Sequence, residues 1–207
     1  MGLGICFLLA NCAGDSNSYA IIETEYGNMK VLLYDETPKH KENFIKLANE
    51  GFYDELLFHR VIDGFMLQGG DPESRNAAAG TMLGAGGPGY LIDAEIGSPH
   101  FKGSLAAART GAGNPEKKSS GSQFYIVEGA PVTEAQITAL ENFKKIKYSD
   151  AQKAVYAELG GRPDLDQEYT VFGEVVEGLD VIDKISIVPV DQKDRPIKDV
   201  KMKVRMQ

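Results

Sequence analysis

The chain has 207 residues, 43% of them hydrophobic and 25% charged, ordinary values for a globular domain able to bury a sizeable core. Its formal net charge of −8 argues against a nucleic-acid partner, because that contact draws on clustered Lys and Arg. Both cysteines, Cys6 and Cys12, fall in the first dozen residues, and His40, His59 and His100 lack metal-ligand spacing, so neither a metal nor another cofactor is expected.

Residues 1–13 carry an apolar centre from Leu3 to Ala10, too short to cross a bilayer as a helix and of the length of a signal-peptide core. Leu9-Ala10-Asn11-Cys12 resembles a bacterial lipoprotein processing site, where Cys12 would become the lipidated first residue. Asn11 departs from that pattern, as does the lack of a Lys or Arg before the apolar run. Residues 1–18 are thus read as leader and linker, Gly14 to Ser18 being the polar spacer. That reading places the protein in the cell envelope, touching membrane only through a lipid anchor; without a working leader it would be cytoplasmic.

Ala20–Tyr26 and Met29–Tyr34 read as a hairpin turning at Gly27-Asn28. Thr37-Pro38 offers an N-cap followed by Pro at the first helical position. Phe44, Ile45, Leu47 and Ala48 then give a helical apolar face, closed by Gly51. Phe58 to Pro72 reads FHRVIDGFMLQGGDP, two apolar runs joined by a tight turn at Asp63-Gly64. Strict alternation puts Arg60 on one face with Phe58 and Ile62, so its guanidinium must be paired or must face a wet cleft.

From Asp71 to Gly103 the chain is rich in Gly and Ala and reads as a long ordered loop beside a site. Gly84 to Gly89 matches the dinucleotide pattern GxGxxG, but Pro88 and the following Tyr90-Leu91-Ile92 do not open the helix that pattern needs. Ser104–Arg109 and Gln123–Val127 read as strands. Thr133 with Gln136 and Ser149 with Gln152 form capping-box patterns. Apolar stripes at Ile137, Leu140 and Phe143 and at Ala151, Val155 and Leu159 complete a helical hairpin ended by Gly160-Gly161. Tyr169–Val176 is the next strand, Leu179–Ile185 a short amphipathic helix, and Lys198–Met206 a final strand.

Three segments in order, FHRVIDGFMLQGGDP, Gly121-Ser122-Gln123-Phe124-Tyr125-Ile126 and Tyr169-Thr170-Val171-Phe172-Gly173-Glu174-Val175, resemble the signatures of cyclophilin-type peptidyl-prolyl cis-trans isomerases. The resemblance spans roughly residues 20 to 207, apart from 133–161, where family members have a short loop. It implies a mainly β, closed eight-stranded antiparallel barrel capped by two helices, formed by residues 19–207, with 133–161 as an inserted helical hairpin. It implies an isomerase of X–Pro bonds, acting on unfolded or partly folded proteins and proline-containing peptides, and nothing argues against a monomer.

By the same resemblance Arg60 and Gln68 are the catalytic candidates. Phe65, Met66, Tyr125 and Leu165 would form the proline pocket, with Ala108, Arg109, Gln123 and Tyr169 completing the substrate surface. Gln68 and Gln123 would orient Arg60 and bond the substrate backbone. Small side chains at Ala106 to Ala108 suit a groove wall, a packed barrel interior, or both at alternating positions. Well-known eukaryotic members carry His at the position of Tyr169 and Phe at that of Tyr125. Cyclosporin-sensitive members carry a Trp near Asp164, whereas this chain has no Trp. The alternative is a binding module for proline segments, an envelope chaperone without useful turnover, which would have no need of Arg60. A hydrolase fits less well, for no G-x-S-x-G elbow is present.

Overall fold

The computed structural model describes residues 17–207, so the leader, Cys6 and the lipidation expected at Cys12 lie outside the described residues. In β1 (Ser18–Thr24) Ala20 and Ile22 are buried, as are Met29, Val31 and Leu33 of β2 (Gly27–Leu33), the period-2 pattern of strands with one face inward. The two form the expected hairpin, but it turns at Glu25-Tyr26, not at Gly27-Asn28. The Thr24 hydroxyl accepts the Tyr26 amide at 3.1 Å and donates to the Gly27 carbonyl at 2.8 Å, and this local pairing outweighs the turn preference of Gly-Asn. Gly27 opens β2 at φ +130°, where a Cβ would lie 2.9 Å from Val181 Cγ2.

Next come α1 (Pro38–Asn49), β3 (Leu56–Ile62), β4 (Met66–Gly69), β5 (Leu91–Ile92), β6 (Ser104–Ala107), β7 (Ser119–Ser120) and β8 (Phe124–Val127). Then follow α2 (Glu134–Lys144), α3 (Asp150–Glu158), β9 (Val171–Glu177), α4 (Leu179–Ser186) and β10 (Lys201–Met206). Eight strands close a barrel in the order β1-β10-β3-β4-β8-β6-β9-β2, all pairs antiparallel, which removes free sheet edges. β5 and β7 pair separately, inside the long loop.

Phe44, Leu47 and Ala48 of α1 and Val181, Ile182 and Ile185 of α4 belong to the same buried cluster as the strands. β2 starts beside Val181 and leads out toward Pro38, so α4 and α1 plug opposite ends of the barrel. Phe44 packs tilted against Tyr53 at 5.1 Å and edge-to-face against Phe124 at 5.7 Å, and each such buried ring stabilises by about 1.5–3 kcal/mol. Thr37 precedes α1 as expected, but its side chain does not cap it. Glu95, from the long loop, accepts the amides of Lys39 and His40 instead, both at 3.1 Å.

Strict alternation along β3 does not survive. Phe58 pairs with Gly69 and Arg60 with Gln68, so β3 spends one extra residue, His59, against β4. The bulge turns Phe58 into the barrel core and leaves Arg60 and Ile62 on the outer face. On β6 the two readings of the alanines both hold: Ala107 packs in the barrel and Ala106 and Ala108 on its outside.

Residues 133–161 form the hairpin, and both capping boxes are made. Its packed face differs from the expected stripes, for Phe143 is 83% and Leu159 38% exposed. Ile137, Tyr148 and Tyr156 are the buried hydrophobic residues, and Phe101 packs on Tyr156 at 4.6 Å. A polar side chain organises the bend. Buried Glu141 accepts the Tyr148 amide at 2.9 Å and pairs with Lys153 at 3.1 Å. The hairpin rejoins the barrel through Gly161, bridged to Phe101 and Ala130 at φ +149°, where a side chain would strike the His100 carbonyl.

Candidate active site

Register places one row of side chains across adjacent strands: Arg60 on β3 opposes Gln68 on β4, which opposes Tyr125 on β8, which opposes Ala106 on β6. The next row, Ile62, Met66 and Val127, lies on the same outer face. Phe65 in the β3–β4 turn, Ala108 and Arg109 past β6, Leu165 in a short 3₁₀ turn and Tyr169 before β9 complete the walls. Together Arg60, Phe65, Met66, Gln68, Ala108, Arg109, Tyr125, Leu165 and Tyr169 line one cavity of about 120 Å³. That is the room of about four waters and suits one small ring. The tenth expected residue, Gln123, stands just outside and accepts a hydrogen bond from Gln68 Nε2 at 3.0 Å. Larger open clefts adjoin the slot on either side of Gln68, one of about 610 Å³ bordered by Arg109 and Gly84–Gly87, the other of about 410 Å³ bordered by Arg60 and Lys193.

Arg60 stands half-exposed at the mouth, its side chain 41% accessible. Its Nε donates to Asp194 Oδ2 at 3.4 Å, and its guanidinium lies 6.0 Å from the Phe65 ring centre. Among the described residues its two Nη groups have no hydrogen-bond partner, so four donors are left unspent. Among the described residues Arg60 gives its hydrogen bond to Asp194, while Gln68, its neighbour across the strands, bonds Gln123. Asp194 lies 134 positions away in a polar turn at φ +63°, with no motif to announce it.

Gln123 Nε2 donates to the carbonyls of Gly84 at 3.0 Å and Gly86 at 2.7 Å. The fully buried Asp71 carboxylate accepts from the amides of Gly84, Gly86 and Glu73. These glycine amides already hold an internal anion, which is the physical reason the GxGxxG pattern is no phosphate cradle here. Arg109 is committed in the same way. It bonds Glu168 twice, at 2.9 and 3.0 Å, and stacks 4.6 Å over Tyr169.

Tyr125 is 5% exposed, and its phenol is pushed well up by burial, with Tyr169 and Asp166 adding to the effect. Its hydroxyl meets His100 Nε2 at 3.0 Å, while Tyr169 packs edge-on against its ring at 5.8 Å. Arg162, at the end of the inserted hairpin, covers Phe65 at 4.0 Å. Asp194, His100, Asp166 and Arg162 were not singled out as site residues in the sequence, and only a three-dimensional neighbourhood reveals them.

The family model described as "Cyclophilin type peptidyl-prolyl cis-trans isomerase/CLD" matches residues 19–205. A Staphylococcus saprophyticus protein named for peptidyl-prolyl cis-trans isomerase activity is 37% identical over 186 residues, covering 87% of this chain and 86% of its own. A peptidyl-prolyl cis-trans isomerase-like 2 protein of Rhizopus delemar is 38% identical over 194 residues, which is 90% of this chain and 28% of that longer one. The crystal structure of a Cryptosporidium parvum cyclophilin-type isomerase superposes with a TM-score of 0.66 at 26% identity, covering 92% of this chain and 98% of that one. A second structure of that protein, in the presence of the dipeptide Ala-Pro, gives a TM-score of 0.64.

Proposed function

The chain belongs to the cyclophilin-type peptidyl-prolyl cis-trans isomerases, and from that premise we propose that Arg60 catalyses rotation of X–Pro bonds held in the slot beside it. Partial double-bond character sets a barrier of about 18–20 kcal/mol, and uncatalysed exchange takes roughly tens to hundreds of seconds. A rate of about 10³ per second therefore needs roughly 7 kcal/mol of transition-state stabilisation. No bond is made or broken. The site must bind the twisted amide better than the planar one.

Twisting makes the proline nitrogen pyramidal and frees its lone pair, which a fixed charged donor can satisfy. The carrying observation is the Arg60 guanidinium, tethered through Nε to Asp194 with its Nη donors unspent at the mouth of the apolar slot. Phe65, Met66, Tyr125 and Leu165 would take the proline ring and exclude water, which strengthens the Arg60 contact. Gln68 and Gln123, bonded to each other, would hold the peptide backbone alongside. Clients are proline-containing segments of unfolded or partly folded proteins.

Exchange on an Ala-Pro-containing peptide, followed by NMR for the parent and Arg60→Ala, tests this reading. Arg60→Ala should lower kcat/KM by about 10²–10³-fold, or about 3–4 kcal/mol, with the thermal melt unchanged. An Arg60→Ala protein that matches the parent rate overturns the mechanism. Binding of the peptide without turnover by the parent would instead fit the chaperone alternative.

A further inference from the structure

We propose that His100 and Asp166 are positioning residues for the proline slot, and that the inserted hairpin exists in part to hold them. The inference rests on the reading of the slot as the proline site. Tyr125 forms a wall of that slot, and its hydroxyl points away from it into protein, where a buried phenol needs a partner. The partner is His100 Nε2 at 3.0 Å, on a ring with no solvent exposure. On the other side of that ring, Nδ1 lies 2.8 Å from Asp166 Oδ1, which also accepts the His100 backbone amide at 2.7 Å. A carboxylate facing Nδ1 holds a proton on that nitrogen, and Nε2 on the far side of the ring is left to meet the Tyr125 hydroxyl.

Asp166 is itself 3% exposed, and its second oxygen accepts from Tyr156 at 2.6 Å and Tyr148 at 2.8 Å. Both tyrosines belong to the hairpin, Tyr156 on α3 and Tyr148 just before it. Burial, with Asp166 beside them, pushes both phenols up, so they remain donors. Tyr156 takes part a second time, accepting the His100 amide at 3.1 Å. The bonds form one buried line: Tyr148 and Tyr156, Asp166, His100, Tyr125, slot. Each link fixes the hydrogen-bond role of the next, and the last fixes where a slot-forming ring sits. A plain phenyl at position 125 would need none of this.

A cycle of variants tests the line, with Kd for an Ala-Pro-containing tetrapeptide read by NMR titration and kcat by exchange. His100→Leu and Asp166→Asn should each weaken peptide binding by about tenfold while kcat holds within about twofold, because the Tyr125 hydroxyl loses its fixed partner. In a Tyr125→Phe background the same two substitutions should change Kd by less than about twofold. Asp166→Asn should also move the His100 proton from Nδ1 to Nε2, visible in the imidazole ¹⁵N shifts. If His100→Leu does not fold, Tyr156→Phe takes its place in the cycle. Equal losses in both backgrounds, or unchanged Kd and tautomer in folded variants, would overturn the proposal. An Arg60→Ala protein at parent rate alongside a positive cycle would remove the catalytic reading of Arg60 and leave this one standing.

Discussion

Arg60 reaches the slot because of the residue beside it. Without the bulge at His59, β3 would keep Phe58 and Arg60 on one face, and either an arginine would enter the barrel or a phenylalanine would leave it. The slot residues were legible because most of them lie in short runs whose type and order carry the family resemblance. Asp194 and His100 were not, since a hydrogen bond across 134 positions has no local signature. Residue identity also shapes inhibitor binding. Where the resemblance expects an indole near Asp164, this chain has a carboxylate in a two-bond pair with Arg162 at 2.8 and 2.7 Å, and Arg162 covers Phe65. Loss of a Trp anchor typically costs at least about 2 kcal/mol, or roughly 30-fold. Cyclosporin should therefore inhibit at least that much more weakly than it inhibits a Trp-bearing relative in the same exchange assay. Equal inhibition would mean that the indole is dispensable.

At the scale of elements, α2 and α3 are capped from within, whereas α1 is capped from afar. Thr133 and Ser149 cap α2 and α3 through side chains three residues on, a pattern readable in any sequence. α1 depends on Glu95, 56 positions from Lys39, which holds two amides and meets His40 Nδ1 at 2.6 Å. Glu95 in turn is tied to the residue just before β9 by its own amide, which donates to Thr170 Oγ1 at 2.9 Å. The long loop is thus a strap that fastens α1 to the barrel, and its low apolar content hid that role. Glu95→Ala removes the cap and strands a buried imidazole, which should cost about 2 kcal/mol. For a domain of this size the melting temperature should fall by about 4–8 °C while kcat/KM for the peptide stays at the parent value. A change of under about 1 °C in calorimetry would show that solvent replaces the carboxylate. The hairpin stripes differ from expectation for a related reason, since Glu141, Tyr148 and Tyr156 join Ile137 on the packed face while Phe143 and Leu159 stay exposed.

The whole barrel carries two histidines whose burial couples folding to pH. His59 is 4% exposed, and among the described residues neither ring nitrogen has a partner in hydrogen-bond geometry; burial lowers its pKa below the ordinary 6.5, Asp71 and the nearby Leu57 backbone oppose the shift, and Arg60 and Arg195 add to it. His40 is lowered too, chiefly by burial, against the upward pull of Glu95. Each is neutral in the folded chain at a pH where the unfolded chain binds a proton. Below about pH 6.5 the unfolded state therefore holds more protons, and stability falls with acidification by up to about 1.4 kcal/mol per pH unit per histidine. The loss ends once pH drops below the folded values. Glu128 acts with the opposite sign, its pKa raised by burial, but it is common to parent and variant and cancels in a comparison. His59→Leu removes one protonation site and two unpartnered nitrogens from the same volume, so urea midpoints at pH 7.5 should change little or rise. At pH 5 the variant should exceed the parent by more than it does at pH 7.5. Parallel pH profiles for the two proteins would mean that the unfolded chain gains no proton at residue 59 that the barrel refuses.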